Sequence, residues 1–282
     1  MSKLIYVAAL VLSAWVTSAP ASAEDLQGSW TMAPTKDAGK VHFGIFHRRE
    51  GSNINSENDW PVTAFQGLDL ATRARHDVKF VIARDAGRFD CEGYLDAGNG
   101  AGPFRFTPDA QYAKSMAAIG FTGVEEDKQF AMAIHDVSLE YARQMKAEKL
   151  ANLDTDKLLA FRIFDVTSQF IREMRAAGLP ANDADKLIAY RVHGVSPAFI
   201  ADLHRAGIQA DEDQVIAFRI HGVTPEYVAR VQGLGYGKPD PDQLIAMRIH
   251  GVTPEFIAEM KSRGLKDLTI DKLVALRIHG ID

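Results

Sequence analysis

Two hydrophobic rhythms divide the chain. Between residue 24 and about 108, apolar positions alternate: Val41, Phe43 and Ile45, then Val78, Phe80 and Ile82, then Phe89 and Cys91, then Phe104 and Phe106. A period of two, bounded by Asp, Asn and Gly, predicts antiparallel strands with one buried face. Asp85-Ala86-Gly87 predicts a turn between two of them. The stretch GNGAGPFRF (98–106) lacks the Lys-Ser/Thr ending and the following helix of a phosphate loop. It predicts a glycine-rich turn into an edge strand, where Pro103 is tolerated. Residues 45–60, ending in GSNINSENDW, are polar enough to predict a surface loop.

From about residue 109 the pattern becomes helical and repeats. RVHGVSPAF (191–199), RIHGVTPEY (219–227) and RIHGVTPEF (248–256) spell one phrase at a step of 28–29 residues. Three columns keep that step: His135, Phe164, His193, His221, His250 and His279; Asp127, Asp156, Asp185, Asp213, Asp242 and Asp271; Gly120, Lys149, Gly178, Gly207, Gly235 and Gly264. In the unit 253–280, Thr253 is a helix N-cap followed by Pro254 and Glu255, and Gly264 is the stop. Thr269 then caps a second helix that runs apolar through Leu273, Val274, Leu276 and Ile278 to Gly280. Asp154, Asp183, Asp211 and Asp240 hold the same cap position in other units. Helices of roughly ten residues are marginal alone, so the units must stack. The expected fold is α+β: an antiparallel β domain over 24–108, then an all-α solenoid of about five helix-pair repeats over 109–282. Asp109, Tyr112 and Met116 belong to a divergent first helix.

The recurring His193, His221, His250 and His279 sit where a helix ends, so their imidazoles are expected to serve as structural caps for terminal carbonyls. Stacked helices lie roughly 8–10 Å apart, and zinc-bound nitrogens about 2 Å from their ion. Successive histidines are therefore not expected to share a metal, and no cofactor is expected. Two residues earlier, Arg162, Arg191, Arg219, Arg248 and Arg277 recur, with Ala133 breaking the column. Helical spacing places them partly in the interior. They read either as a structural ladder to carboxylates or helix-end carbonyls, or as a cation row facing an acidic partner. They are the candidate binding residues, together with Trp60, which reads as a core or rim anchor unless it lines a groove. His42, His47 and His76 are too loosely spaced for a metal site, and Glu125-Glu126 reads as a helix start.

Lys and Arg number 32 against 37 Asp and Glu, a net charge of −5, which argues against nucleic acid as a partner. Cys91 is the only cysteine, so no intrachain disulfide is expected. Lys3, the apolar run Leu4–Val16 and Ala21-Ser22-Ala23 read as an export signal over 1–23, too short to span a bilayer. No cysteine stands at the cleavage point, so a lipid anchor is not expected. The mature chain is expected in the periplasm or outside the cell.

The hairpin I-H-G-V-T-P resembles helix-hairpin-helix DNA modules, but Ser or Thr replaces the second glycine and no basic residues follow. The phrase D-K-L-[IV]-A-x-R-[IV]-H-G-V-[ST]-P-x-[FY], and the preceding F-V-I-A-R-D-A-G-R-F-D-C-E-G-Y-L, resemble the repeat region of bacterial beta-lactam-sensing antirepressor metallopeptidases. The zinc motif of those peptidases has no counterpart here, so no catalytic residue carries over. The resemblance implies an extracytoplasmic sensing or interaction module that binds a protein or envelope partner through its helical surface. Two alternatives stand beside it: a hydrolase or lyase with its site in the β domain or at the domain junction, and a metal or ligand sensor using the histidine row.

Overall fold

The computed structural model describes residues 26–49 and 52–281, so the export-signal reading lies outside the described residues. Six strands form one antiparallel sheet: β1 (Leu26–Pro34), β2 (Lys40–Arg49), β3 (Ser52–Pro61), β4 (His76–Arg84), β5 (Gly87–Asp96) and β6 (Asn99–Pro108), in the order β3-β2-β1-β6-β5-β4. Period two works as expected, because Trp30, Phe43, Phe80, Phe89, Phe104 and Phe106 all fall on one buried face. Trp30 sits at its centre, edge-on to Phe80 at 5.0 Å and stacked on Phe43 at 6.1 Å. Phe65, from the β3–β4 connection, closes one side of this cluster against Phe43 at 4.9 Å.

Two details of the sheet differ from expectation. The polar stretch read as a loop is mostly β3, an edge strand pairing only with β2, and its Ile54 and Trp60 face inward. Edge strands need little apolar content, because one side of the ladder and one face meet water. Pro103 is not on an edge, since β6 runs between β1 and β5. The β5–β6 pairing is interrupted between Cys91–Phe104 and Tyr94–Ala101, and Pro103 lies in that gap. The register sets Glu92 opposite it, and the Trp30 indole N–H donates to the Glu92 carbonyl at 3.0 Å. An added Cβ at Gly93 would fall 2.7 Å from the Trp30 ring, so only glycine lets the indole settle there.

Twelve helices follow: α1 (Tyr112–Ala118), α2 (Glu126–Ile134), α3 (Leu139–Ala147), α4 (Thr155–Ile163), α5 (Ser168–Ala176), α6 (Ala184–His193), α7 (Pro197–Arg205), α8 (Glu212–His221), α9 (Pro225–Val231), α10 (Pro241–Ile249), α11 (Pro254–Ser262) and α12 (Ile270–Ile278). None of the described helices is long and apolar enough to cross a membrane. Odd-numbered helices stack on odd and even on even, so the array has two layers. It contains the divergent pair α1–α2 besides the five pairs that carry the phrase. Ser138, Thr167, Ser196, Thr224 and Thr253 each accept a hydrogen bond from the backbone N–H three residues on, capping the odd helices. Asp154, Asp183, Asp211, Asp240 and Thr269 cap the even ones from α4 onward. Each such cap contributes about 1 kcal/mol.

Neighbouring units are tied by polar links at one-repeat spacing. Tyr112, Tyr141 and Tyr227 donate their hydroxyls to the carbonyls of Val137, Val166 and Val252 at 2.6, 2.9 and 2.8 Å. Members of the Asp column accept from the unit before: Lys128 meets Asp156 at 2.7 Å, Lys157 meets Asp185 at 3.4 Å, and Gln214 donates to Asp242 at 2.9 Å.

The sheet joins this array through α2. Phe130 is fully buried among Phe106, Phe89 and Phe104, at 5.1, 5.8 and 6.0 Å between ring centres. Gln129 donates both protons of its amide nitrogen, to the carbonyls of Ala86 and Asp109, each at 2.7 Å. Asp85 accepts the Leu139 N–H at 2.8 Å. The expected turn 85–87 is thus also the socket that receives the first helices.

Candidate functional site

The arginine column forms one repeated arrangement along the edge where even helices end and odd helices begin. Each guanidinium lies over the aromatic ring of the preceding odd helix: Arg162 over Tyr141 at 5.0 Å, Arg191 over Phe170 at 4.0 Å, Arg219 over Phe199 at 5.0 Å, Arg248 over Tyr227 at 5.0 Å and Arg277 over Phe256 at 4.8 Å. Each described donor bond reaches back to the end of the preceding even helix. Arg162, Arg219 and Arg248 donate through Nε to the carbonyls of His135, His193 and His221 at 2.9, 3.1 and 3.2 Å. Arg191 instead uses Nη2, on the Asp165 carbonyl and on its carboxylate at 2.9 Å, leaving Nε buried without a partner. So the guanidiniums satisfy terminal carbonyls that a helix leaves open.

The imidazoles do something different from what their position suggests. His193, His250 and His279 are exposed and His221 is half-buried. Among the described residues none of these four rings is hydrogen-bonded to a helix-end carbonyl. It is the backbone carbonyl of the histidine, in His193 and His221, that enters the link. No group of three or more His, Cys, Asp or Glu side chains able to hold a metal is found among the described residues.

The apolar run of the even helices has two faces rather than one. Leu158 and Phe161, Leu187 and Tyr190, Val215 and Phe218, and Leu244 and Met247 are fully or almost fully buried between the layers. The positions Asp156-Leu159-Ala160-Ile163, with helical spacing i, i+3, i+4, i+7, form the other face, and every later even helix repeats them. Its last member is an aliphatic residue that water reaches: Ile163, Val192, Ile220, Ile249 and Ile278 are 50–58% exposed. Ile278, expected as part of a single apolar run, is the most exposed of the five. In the first unit the same positions are Asp127, Phe130, Ala131 and Ile134, and there the sheet covers the face: Ile134 is 3% exposed. One repeated apolar face is therefore closed once, by this chain's own sheet, and left open five times.

Trp60 is buried against Phe43 at 5.4 Å, with the Arg84 guanidinium 5.0 Å over its ring. It lines a cleft of about 450 Å³ at the junction, with Arg84, His135, Asp136 and Arg162. Asp136 lies 3.5 Å from Arg84 Nε and 3.3 Å from Arg162 Nη2. Burial, and then the charge of Arg162, pull His135 below its ordinary value. His135 and Asp136 share this cleft, but the carboxylate is committed to two guanidiniums; the His–Asp pair among the described residues is the exposed His42–Asp59, 3.0 Å apart, whose Asp59 lies at the same cleft. Trp60 is a wall of the junction and is not part of the exposed apolar row.

No family model matches the chain, and no characterised protein matches it in sequence. The arginine links are accordingly judged by their own energetics. Arg191→Ala removes a carboxylate pair, a carbonyl bond and a close ring contact, and should cost about 2–3 kcal/mol. Arg219→Ala removes one carbonyl bond and a looser ring contact, and should cost about 1 kcal/mol. Urea unfolding of both variants measures the difference, and equal costs would mean that the Asp165 pair contributes nothing.

Proposed function

We propose that this protein is an exported recognition module whose helical array binds a partner protein along its row of exposed aliphatic side chains. The observation that carries this reading is the row itself: Ile163, Val192, Ile220, Ile249 and Ile278, half-exposed at one-repeat intervals. Scattered surface apolar residues are ordinary, but a contiguous strip of them marks an interaction surface. Its first copy, under the sheet, illustrates how the face behaves when covered. Stacked repeats also present long surfaces suited to binding. The resemblance to the repeat region of beta-lactam-sensing antirepressor proteins, and the export signal read at residues 1–23, support an envelope or extracellular setting.

Site-specific photocrosslinking in cells tests the proposal. A crosslinking amino acid at 220 or at 249 is expected to capture the same partner. At position 79, on the outer face of the sheet where Lys79 is exposed, it is expected to capture none. The substitutions Val192→Ser and Ile278→Ser, both at exposed positions, should leave stability within about 0.5 kcal/mol of the parent and abolish the adducts. Adducts indifferent to these changes, or none at 220 and 249, would remove the row from consideration.

A further inference from the structure

The residue that follows the histidine column changes along the array. It is Asp136 and Asp165 in the first two units, then Gly194, Gly222 and Gly251. All adopt the left-handed conformation, Asp136 and Asp165 at φ 54° and 55°, Gly194 and Gly222 at 70° and 73°. That conformation is uncommon for a residue with a side chain, though Asp accepts it more readily than most. The guanidinium from the next unit arrives at the same place in every case. Arg162 meets the Asp136 carboxylate at 3.3 Å, and Arg191 meets that of Asp165 at 2.9 Å. Arg219 and Arg248 instead bring Nη2 to 2.9 Å from where a Cβ of Gly194 or Gly222 would stand. Among the described residues, neither of these two has a carboxylate within ion-pair distance. Each keeps its one carbonyl bond, Arg219 is exposed, and each precedes an open aliphatic residue, Ile220 or Ile249.

We infer that the C-terminal repeats recognise an acidic amphipathic helix of the partner. Its carboxylates take, at Arg219 and Arg248, the places that Asp136 and Asp165 fill at Arg162 and Arg191, while its apolar side chains lie on Ile220 and Ile249. This rests on the docking row proposed above and adds the chemistry of what docks there. An arginine holds a carboxylate through charge-assisted hydrogen bonds, and the chain itself displays such a contact twice, each through Nη2 to one carboxylate oxygen. The repeat spacing selects a helix as the ligand. Stacked helices are roughly 8–10 Å apart, and seven residues of α-helix rise about 10.5 Å and return to nearly the same face. Carboxylates seven residues apart on one flank of an apolar stripe are thus spaced as arginines on two adjacent stacked helices are.

The probe is a fluorescein-labelled 21-residue helical peptide with Leu at heptad positions a and d and Glu seven residues apart on one flank. A second peptide carries Gln in place of Glu. Anisotropy titration of the full chain should give at least ten-fold tighter binding of the Glu peptide. Gly194→Asp with Gly222→Asp installs the carboxylates of the first two units and should abolish that preference, whereas Gly194→Asn with Gly222→Asn should retain it. Arg219→Gln with Arg248→Gln provides a second route to the same loss if the Asp variant does not fold. Ile220→Ser with Ile249→Ser should weaken both peptides alike. Equal affinity for the two peptides, or a preference that survives the Asp and the Gln variants, overturns the acidic-helix inference and leaves the docking row standing. Binding of both peptides unchanged by the Ile220 and Ile249 substitutions overturns the docking row for such ligands, and the inference with it.

Discussion

Phe130→Ala should destabilise the protein by about 3–5 kcal/mol, the usual cost of deleting a buried aromatic ring. The ring is fully buried, with three phenylalanines of the sheet and the edge of His47, at 5.3 Å, packed around it. The neighbours cannot readily collapse into the space, because Phe89, Phe104 and Phe106 are carried on paired strands. Two other joints, the Gln129 amide and the Asp85 cap of α3, are polar and contribute about 1 kcal/mol each. The loss should therefore uncouple sheet from array as well as lower total stability. Urea unfolding followed by tryptophan fluorescence, which reports the sheet, and by far-ultraviolet circular dichroism, which reports the helices, should coincide in the parent. The two transitions should separate in the variant. A loss under about 1 kcal/mol with coincident transitions would show that Phe130 is not the plug of the joint.

Phe218→Ala should be as severe and act elsewhere. Phe218 is fully buried on α8, in the middle of the stack, and its removal should cost about 3–5 kcal/mol. Each unit of a solenoid leans only on its neighbours, so damage at one unit weakens the interfaces on both sides. Native-state hydrogen exchange is the suitable readout. Amides of α6, α8 and α10 should lose protection by two or more orders of magnitude, while those of β1 and β6 change little. Uniform loss across sheet and helices would mean that the protein unfolds as one indivisible unit.

Much of this architecture was legible in the residues because its causes are local. Capping Ser, Thr and Asp side chains bond N–H groups within three residues, so Thr253 or Asp211 announces a helix start without knowledge of the rest. Alternation placed the buried face of β4 and β5 for the same reason. What stayed hidden depends on partners far along the chain. β3 resembles a loop in sequence because an edge strand needs few apolar residues, and its pairing with β2 is settled across the sheet. Pro103 points to an edge strand in the sequence because nothing adjacent to it discloses the gap opposite Glu92. Ile278 and its equivalents looked like core because a helix apolar on two faces resembles a helix buried on both. The signal that separates them lies in the first unit, where the equivalent Phe130 and Ile134 meet the sheet. The change from Asp136 and Asp165 to Gly194 and Gly222 was present in the repeat columns. It acquires meaning only once a guanidinium of the next unit is seen to arrive there.

Because each described Arg link runs back to the module before it and each Tyr-to-valine link runs forward to the module after it, a cut between equivalent positions of two adjacent units leaves all surviving attachments intact. Excising residues 222–250, or duplicating them, should shorten or lengthen the row of exposed aliphatic side chains by one quantum of about 10 Å. The grip of such a protein on its target would then be adjustable in discrete steps, much as a ruler is read, without redesign of its interior.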